Sequence, residues 1–377
     1  MYMNDEEIFE VFAITRGLSE KSRTDYIHTF KIYTKTQQMT LQELLDEAEQ
    51  EEIEGIRLKN RTIKKRLISY KNYLIENYTK NSIDTHFTRV KALYKHFEIE
   101  LPNFPNYKTK QIREYEPIYY KDLPDREIIK EALNISNPLM TAIILFMSSS
   151  GCARRETLNI TINDFKKSIQ DYTIKTNIYE ILDDLKTKKN IVPMFRIKRQ
   201  KTNKFYYTFC SPEATNAIIS YLLSRNDILT DDSQLFKINV HYFTDCFNEI
   251  NDKLNLGKVG AFNLFRSHML RKYHASNLMM GEHSLTLDEI DSLQGRSKDK
   301  THRSYFMEDP YKLKEKYVLA MPQIMINAEI IEVNSPKVQK ILHENELLKA
   351  EREEFIEKTK EENKKMVLDI LREHNAL

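Results

Sequence analysis

The chain has 377 residues, enough for more than one domain and a sizeable core. Its 58 Lys and Arg against 56 Asp and Glu leave a net charge of only +2, so overall charge does not mark a nucleic-acid protein and any such role rests on charge distribution. Three scattered cysteines, Cys152, Cys210 and Cys246, exclude a disulfide framework or zinc knuckle, and the polar start and lack of long apolar runs give the expectation of a cytoplasmic protein with no membrane span.

Residues 1 to about 100 read as short amphipathic helices. Ser19 and Thr40 have the chemistry of N-caps, the latter with Glu43 in a capping box, and Asn60 is expected to cap the helix that follows. That helix turns Ile63, Leu67, Leu74 and Tyr78 towards a core, while Arg61, Lys64, Lys65 and Lys71 fall on other faces as candidate DNA contacts. A last helix from about Ser82 carries Phe87, Val90, Leu93, Tyr94 and Phe97 as a core stripe. Pro102, Pro105, Pro117 and Pro124 then rule out continuous helix, which makes residues 102–124 a linker between an N-terminal domain (1–101) and a second domain (125–330). Lys108, Lys110 and Arg113 in this linker suit a strap across a DNA backbone.

In the second domain, LMTAIILFMSS is apolar all round and predicts a buried central helix, broken at Gly151. ARRETLNIT then starts another helix with Arg154 and Arg155 in its first turn, where a cation opposes the helix dipole, an arrangement that local stability does not explain. Residues 192 to 209 read as two strands with the turn at Thr202-Asn203 and with Lys198, Arg199, Lys201 and Lys204 near it, Arg199 and Lys204 being further candidate DNA contacts. Ser211 and Pro212 open the next helix as N-cap and first residue.

The most informative stretch is FNLFRSHMLRKYHASNLM, residues 262 to 279, in which His268 and Arg271 stand three apart and share one face of a helix whose apolar side is Phe265, Met269, Leu270, Tyr273 and Leu278. LQGRSKDKTHRSYF, residues 293 to 306, follows as a basic loop ending in Tyr305. His274 and His283 match no metal-ligand spacing, and no metal is expected. From Pro336 the chain is a charged helix (331–377) with a thin apolar seam through Val338, Ile341, Leu348, Phe355, Met366, Val367 and Ile370, suited to a weak coiled coil or to docking on its own or a neighbouring subunit.

In chain order, Arg154, Lys201, His268, Arg271 and Tyr305 resemble the active site of the tyrosine recombinases, or phage-type integrases, of Xer-like kind. The resemblance covers most of the chain. It implies a mainly α protein with a small β-sheet: an N-terminal helical SAM-like core-binding domain, an α+β catalytic domain that closes with it as a clamp on duplex DNA, and a C-terminal helical tail. Many relatives place the first arginine three residues before the glutamate, which here is Ala153, whereas Arg154 stands two before Glu156 and Arg155 is the competing choice. The catalytic lysine of the family lies in a hairpin, and Lys201 matches it best, with Lys198 and Lys204 as alternatives. Gly295 is followed by Arg296 where relatives carry histidine or tryptophan, and Tyr305 lies nine residues further on as the nucleophile.

The chemistry implied is cleavage and rejoining of DNA through a 3′-phosphotyrosyl intermediate, with double-stranded DNA as partner, a homotetramer on two recombination sites, and no cofactor. Retaining the phosphodiester energy in a covalent bond to tyrosine allows resealing without an external energy source. Two guanidiniums, Arg154 and Arg271, form a preorganised clamp for the charge gained at the phosphorus centre. A type IB topoisomerase uses a similar constellation, and a DNA-binding regulator without catalysis is the reading from a different class.

Overall fold

The structure, a computed structural model, describes residues 4–104, 117–296, 309–327 and 336–374, with side chains in the last stretch described for 343–362. The chain divides into two compact units, Met1–Glu116 and Pro117–Leu377. Among the described residues no helix is long and apolar enough to cross a membrane.

The first unit contains α1 (Asp5–Thr15), α2 (Glu20–Gln37), α3 (Leu41–Ile53), α4 (Thr62–Asn77) and α5 (Lys80–His96). Thr40 and Glu43 form the expected capping box on α3, and Ser19 caps α2. At α4 the expectation for Asn60 gives way: Leu58–Asn60 is a 3-10 turn and Arg61 is the cap residue, with no side-chain cap bond of its own. The Glu51 carboxylate from α3 instead accepts from Thr62 N–H at 2.8 and 2.9 Å, so a tertiary contact does the work of a local cap. The stripes Ile63, Leu67, Leu74 and Phe87, Val90, Leu93, Tyr94 are buried as the periodicity predicts. Tyr33 and Tyr94 share a 2.8 Å hydroxyl contact inside this core, and burial pushes the Tyr94 phenol up to about 12.

The second unit is arranged around α7 (Pro138–Ser150), whose residues from Ala142 to Ser150 are all buried, as the all-round apolar run predicts. Asn137 caps it, Pro138 occupies its first turn, and Gly151 ends it in the left-handed region at φ 65°. Helices α6 (Arg126–Asn134), α11 (Pro212–Leu223) and α13 (Ser267–Met280) pack on α7. Between them in sequence lie α8 (Arg154–Asn159), α9 (Ile162–Ser168), α10 (Ile178–Lys186) and α12 (Val240–Lys253), and α14 (Leu287–Leu293) follows α13.

Strands β1 (Met194–Arg199) and β2 (Lys204–Phe209) form an antiparallel hairpin running from Met194 opposite Phe209 to Arg199 opposite Lys204. Its connection is the four residues 200–203, longer than the turn expected at Thr202-Asn203: the Arg199 carbonyl accepts from Asn203 N–H at 2.8 Å, with Asn203 at φ 54°. A second, two-residue ribbon pairs β3 (Lys258–Val259) with β4 (Phe262–Asn263). After α15 (Pro310–Ala320), the tail helix α16 (Pro336–His374) is tied near its start by Glu346 to Lys188 at 3.2 Å. Further along it leaves Leu348 and Phe355 exposed.

Candidate active site

The site is built on a buried arginine. Arg271, on the inner side of α13 and 6% exposed, donates to the Gly151 carbonyl at 2.5 Å and to the Gln294 carbonyl at 2.7 Å. Gln294 returns the contact by donating from Nε2 to the Arg271 carbonyl at 3.0 Å, and the same Nε2 lies 3.0 Å from His274 Nδ1, which therefore accepts. The end of α7, the middle of α13 and the end of α14 thus meet at one point. A side chain at Gly151 would place its Cβ 2.5 Å from His274 Nδ1, on a backbone that only glycine adopts without strain, so glycine is required here twice over. Gly295 is similar: at φ 59° its missing Cβ would sit 2.5 Å from the Tyr206 ring, and the Arg199 guanidinium donates to its carbonyl.

Outward from this seat opens a cleft of about 610 Å³ between α8, α12, the β3–β4 ribbon and α13. Arg154, His268 and Arg271 all line it, joined by Arg266 and Lys258. Arg155 does not line it, and Ala153, the N-cap of α8, does. Arg154 is exposed and steadied by Thr244 Oγ1 on α12, which accepts from Nη1 at 3.2 Å. Partial burial, then the cations Lys272, Arg266, Arg271 and Arg296, pull the His268 imidazole below its ordinary value and keep it neutral, a proton acceptor, at neutral pH. Among the described residues no carboxylate lies within ion-pair distance of Arg154, Arg266 or Arg271, although buried Glu156 contributes to the field at Arg271. Guanidiniums held without counter-ions at the wall of one cleft are a seat for an anion with several oxygens.

The other expected site residues are placed as follows. Arg296 is half-buried, pairs with Asp291 at 3.4 Å and adds to the positive field at His268. Lys201 is exposed in the hairpin connection and does not line the cleft; Lys198 and Lys204 are exposed strand residues. Arg199 is occupied by the Gly295 carbonyl, a bracing role. Arg61 is held by Glu52, by Glu100 at 3.7 Å and by the Ile56 carbonyl at 2.9 Å, which makes it a brace within its own unit in place of a DNA contact. Lys65 is exposed, Lys64 is half-buried, and Lys71 lies 4.9 Å over the Phe87 ring. Tyr305, Lys108, Lys110 and Arg113 lie outside the described residues. Of the other C-terminal tyrosines, Tyr317 is fully buried against Phe209 and donates to the Ser149 carbonyl at 2.8 Å, a core position closed to DNA, while Tyr311 is exposed. Sequence reasoning passed over Arg266, Lys258 and Gln294, and weighed His274 only as a metal ligand.

No family model matches the chain, and no curated protein matches it. Solved structures do. The Tn1549 transposon integrase in complex with transposon right end DNA is 10% identical, with 83% of this chain and 97% of that one covered and a TM-score of 0.51. The same integrase with circular intermediate DNA is also 10% identical, with 84% and 99% covered and a TM-score of 0.51. The lambda integrase tetramer bound to a Holliday junction is 11% identical, with 81% and 80% covered and a TM-score of 0.51. The chain has the fold of the tyrosine recombinases and integrases, mainly helical with a small two-stranded sheet in the second unit.

The buried imidazole has a consequence for stability. Burial, with Arg271 and Arg296 nearby, lowers His274 to about 3, whereas an unfolded histidine takes its proton near 6.5. Protonation therefore favours the unfolded chain: the group costs nothing above pH 6.5, and its destabilising effect grows as pH falls towards 3, by about 1.4 kcal/mol per pH unit. Urea unfolding at pH 7, 6 and 5 should show the wild type losing stability more steeply than His274→Gln; parallel pH curves for the two proteins contradict this.

Proposed function

We propose that this chain is a tyrosine-type site-specific recombinase that cleaves and rejoins duplex DNA through a covalent 3′-phosphotyrosyl intermediate, without metal or ATP. The observation that carries the reading is the convergence of Arg154, His268 and Arg271, from α8 and α13, on one cationic cleft of a recombinase fold. In the reaction, the Tyr305 oxygen attacks phosphorus, the bond to the 5′ oxygen breaks, and Arg154 and Arg271 hold the non-bridging oxygens as they gain charge. Neutral His268 accepts the phenol proton, directly or through water, and Lys201 protonates the departing 5′ oxygen. Resealing runs the same steps backwards. Lys201 is exposed in the hairpin connection, a position from which a four-carbon side chain can reach a bound backbone.

Assembly as a homotetramer on two sites belongs to the same proposal, by analogy with the lambda integrase tetramer on a Holliday junction. In the first unit, Lys64, Lys65 and Lys71 are the proposed phosphate contacts, with Lys108 and Lys110 from the linker and Lys204 from the hairpin. A DNA-binding regulator without catalysis has two departures in its favour, Ala153 at the position where many recombinases carry the first arginine and Arg296 where they carry histidine or tryptophan.

Two experiments decide between these readings. A duplex nicked so that the cleaved strand cannot religate should trap the wild type as an adduct on Tyr305, and Tyr305→Phe should bind the duplex without trapping; on the same substrate with sulfur at the 5′ bridging position, Lys201→Ala should recover cleavage, since a thiolate leaves without a proton. An adduct on Tyr311, or none at all, sinks the assignment. In the second, Arg154→Ala should slow trapping by about 10²–10³-fold, the scale for removal of one oxyanion donor. Arg155→Ala should stay within a few-fold of wild type, and the reverse order moves the site by one residue.

A further inference from the structure

Arg266 is not needed by the steps above, yet it faces the same cleft as Arg154, His268 and Arg271. It is the residue immediately before α13, and its position is set by the β3–β4 ribbon. Nη1 donates to the Asn263 carbonyl at 2.5 Å, and the guanidinium carbon lies 5.0 Å over the Phe262 ring. One edge of the fork is anchored in this way, which leaves the rest of its five donors for something else. Lys258, paired to Asn263 across the ribbon, adds a second cation to the same wall.

Its surroundings set Arg266 apart from other half-buried arginines. Arg23, Arg61, Arg66, Arg89 and Arg225 each hold a carboxylate, Glu10, Glu52, Glu47, Asp25 and Asp227 respectively. Arg266 has none within ion-pair distance among the described residues, and burial alone pulls its guanidinium below the ordinary value. Half-burying a cation without a counter-ion carries a desolvation cost that an arriving anion removes. Arg126 and Arg199 also end on backbone carbonyls, but neither lines this cleft. The volume decides what the anion is attached to: about 610 Å³ is the size that takes a drug-sized molecule, well beyond a single phosphate group.

We propose that Arg266, braced by Phe262 and the Asn263 carbonyl and assisted by Lys258, seats a second backbone phosphate of the cleaved strand, adjacent to the one held by Arg154 and Arg271. The inference rests on the DNA-cleaving reading of the cleft. Arg266 is then a residue that binds and positions the strand without acting on the reacting phosphorus. Phosphate contacts of this kind are independent of sequence, so an arbitrary duplex serves as probe for the binding measurement.

The test is the salt dependence of binding, followed by fluorescence anisotropy of a labelled nicked duplex with the full-length chain. Removing one phosphate contact lowers the slope of log K against log salt by about 0.9. Arg266→Gln, which removes the charge and keeps a polar side chain, should show that drop with a thermal melt close to wild type, and Arg266→Lys should restore the slope. At saturating DNA carrying the recombination site, and at a pH well above the ordinary histidine value so that His268 is neutral with or without the Arg266 charge, Arg266→Gln should lose trapping rate by far less than the about 10²–10³-fold expected of Arg154→Ala. An unchanged slope in Arg266→Gln overturns the proposal whatever happens to affinity. A trapping rate more than ten-fold lower at saturation also overturns it, by moving Arg266 onto the scissile phosphate. If the wild type traps no adduct at all, the slope still decides: a drop in Arg266→Gln keeps a second phosphate seat while the recombinase reading falls.

Discussion

A buried guanidinium that spans two backbone carbonyls holds the second unit in its shape. Arg271 reaches Gly151 at the end of α7 and Gln294 at the end of α14, two points 143 positions apart along the chain by their own residue numbers, and it does so from the middle of α13. Both carbonyls are left over by helices that have ended, so each would otherwise need another donor. Glycine at 151 lets the end of α7 approach α13, where a Cβ would collide with His274, and glycine at 295 lets the end of α14 approach β2, where a Cβ would collide with Tyr206. With two donors anchored, the remaining N–H groups of Arg271 are presented to the cleft in a fixed direction, and holding them costs nothing further when an anion arrives.

The charges around that seat follow one rule. In the first unit arginine is a structural connector, and Arg61, Arg66 and Arg89 are neutralised by Glu52, Glu47 and Asp25. Among the described residues no carboxylate lies within ion-pair distance of Arg154, Arg266 or Arg271, and these arginines are held by carbonyls, a hydroxyl and an aromatic ring. Such an arrangement disfavours the empty cleft and favours an occupied one. Burial lowers the His268 imidazole first, and the same cations that attract a phosphate lower it further by repelling a proton. This charge pattern points to an anion with several oxygens, the class of ligand that the proposed function requires.

Much of this was legible in the chain itself, and the physical reason is locality. The all-round apolar run of α7, the stripes of α4, α5 and α13, the capping box at Thr40 and the Ser211-Pro212 start of α11 are each settled by neighbours three or four residues away. Arg154 and Arg155 stood out together because a cation in a first helical turn opposes the dipole, and of the two it is Arg154 that lines the cleft. What escaped was non-local. Asn60 yields its capping role to a carboxylate eleven residues before Thr62, as the Glu51 hydrogen bonds show. Arg61 and Arg199 have the spacing of surface cations and are held by partners that only the fold supplies. His274 and Gln294 look like polar interruptions until the fold brings them to Gly151. Arg266 was hidden beside the more conspicuous His268 and Arg271, and only the β3–β4 ribbon explains its aim.

The central claim is that the direction of the Arg271 fork, and not merely its charge, makes the cleft a phosphate clamp. Arg271→Lys tests this most directly, because lysine keeps the positive charge but cannot span the Gly151 and Gln294 carbonyls and still offer a planar pair of donors. Binding and single-turnover trapping would be measured together on the nicked duplex, with thermal melting to confirm the fold. The expected result is DNA affinity within about three-fold of wild type and trapping slower by about 10²-fold or more, the scale of one misplaced transition-state donor. A lysine variant that melts normally and traps DNA at close to the wild-type rate would contradict it.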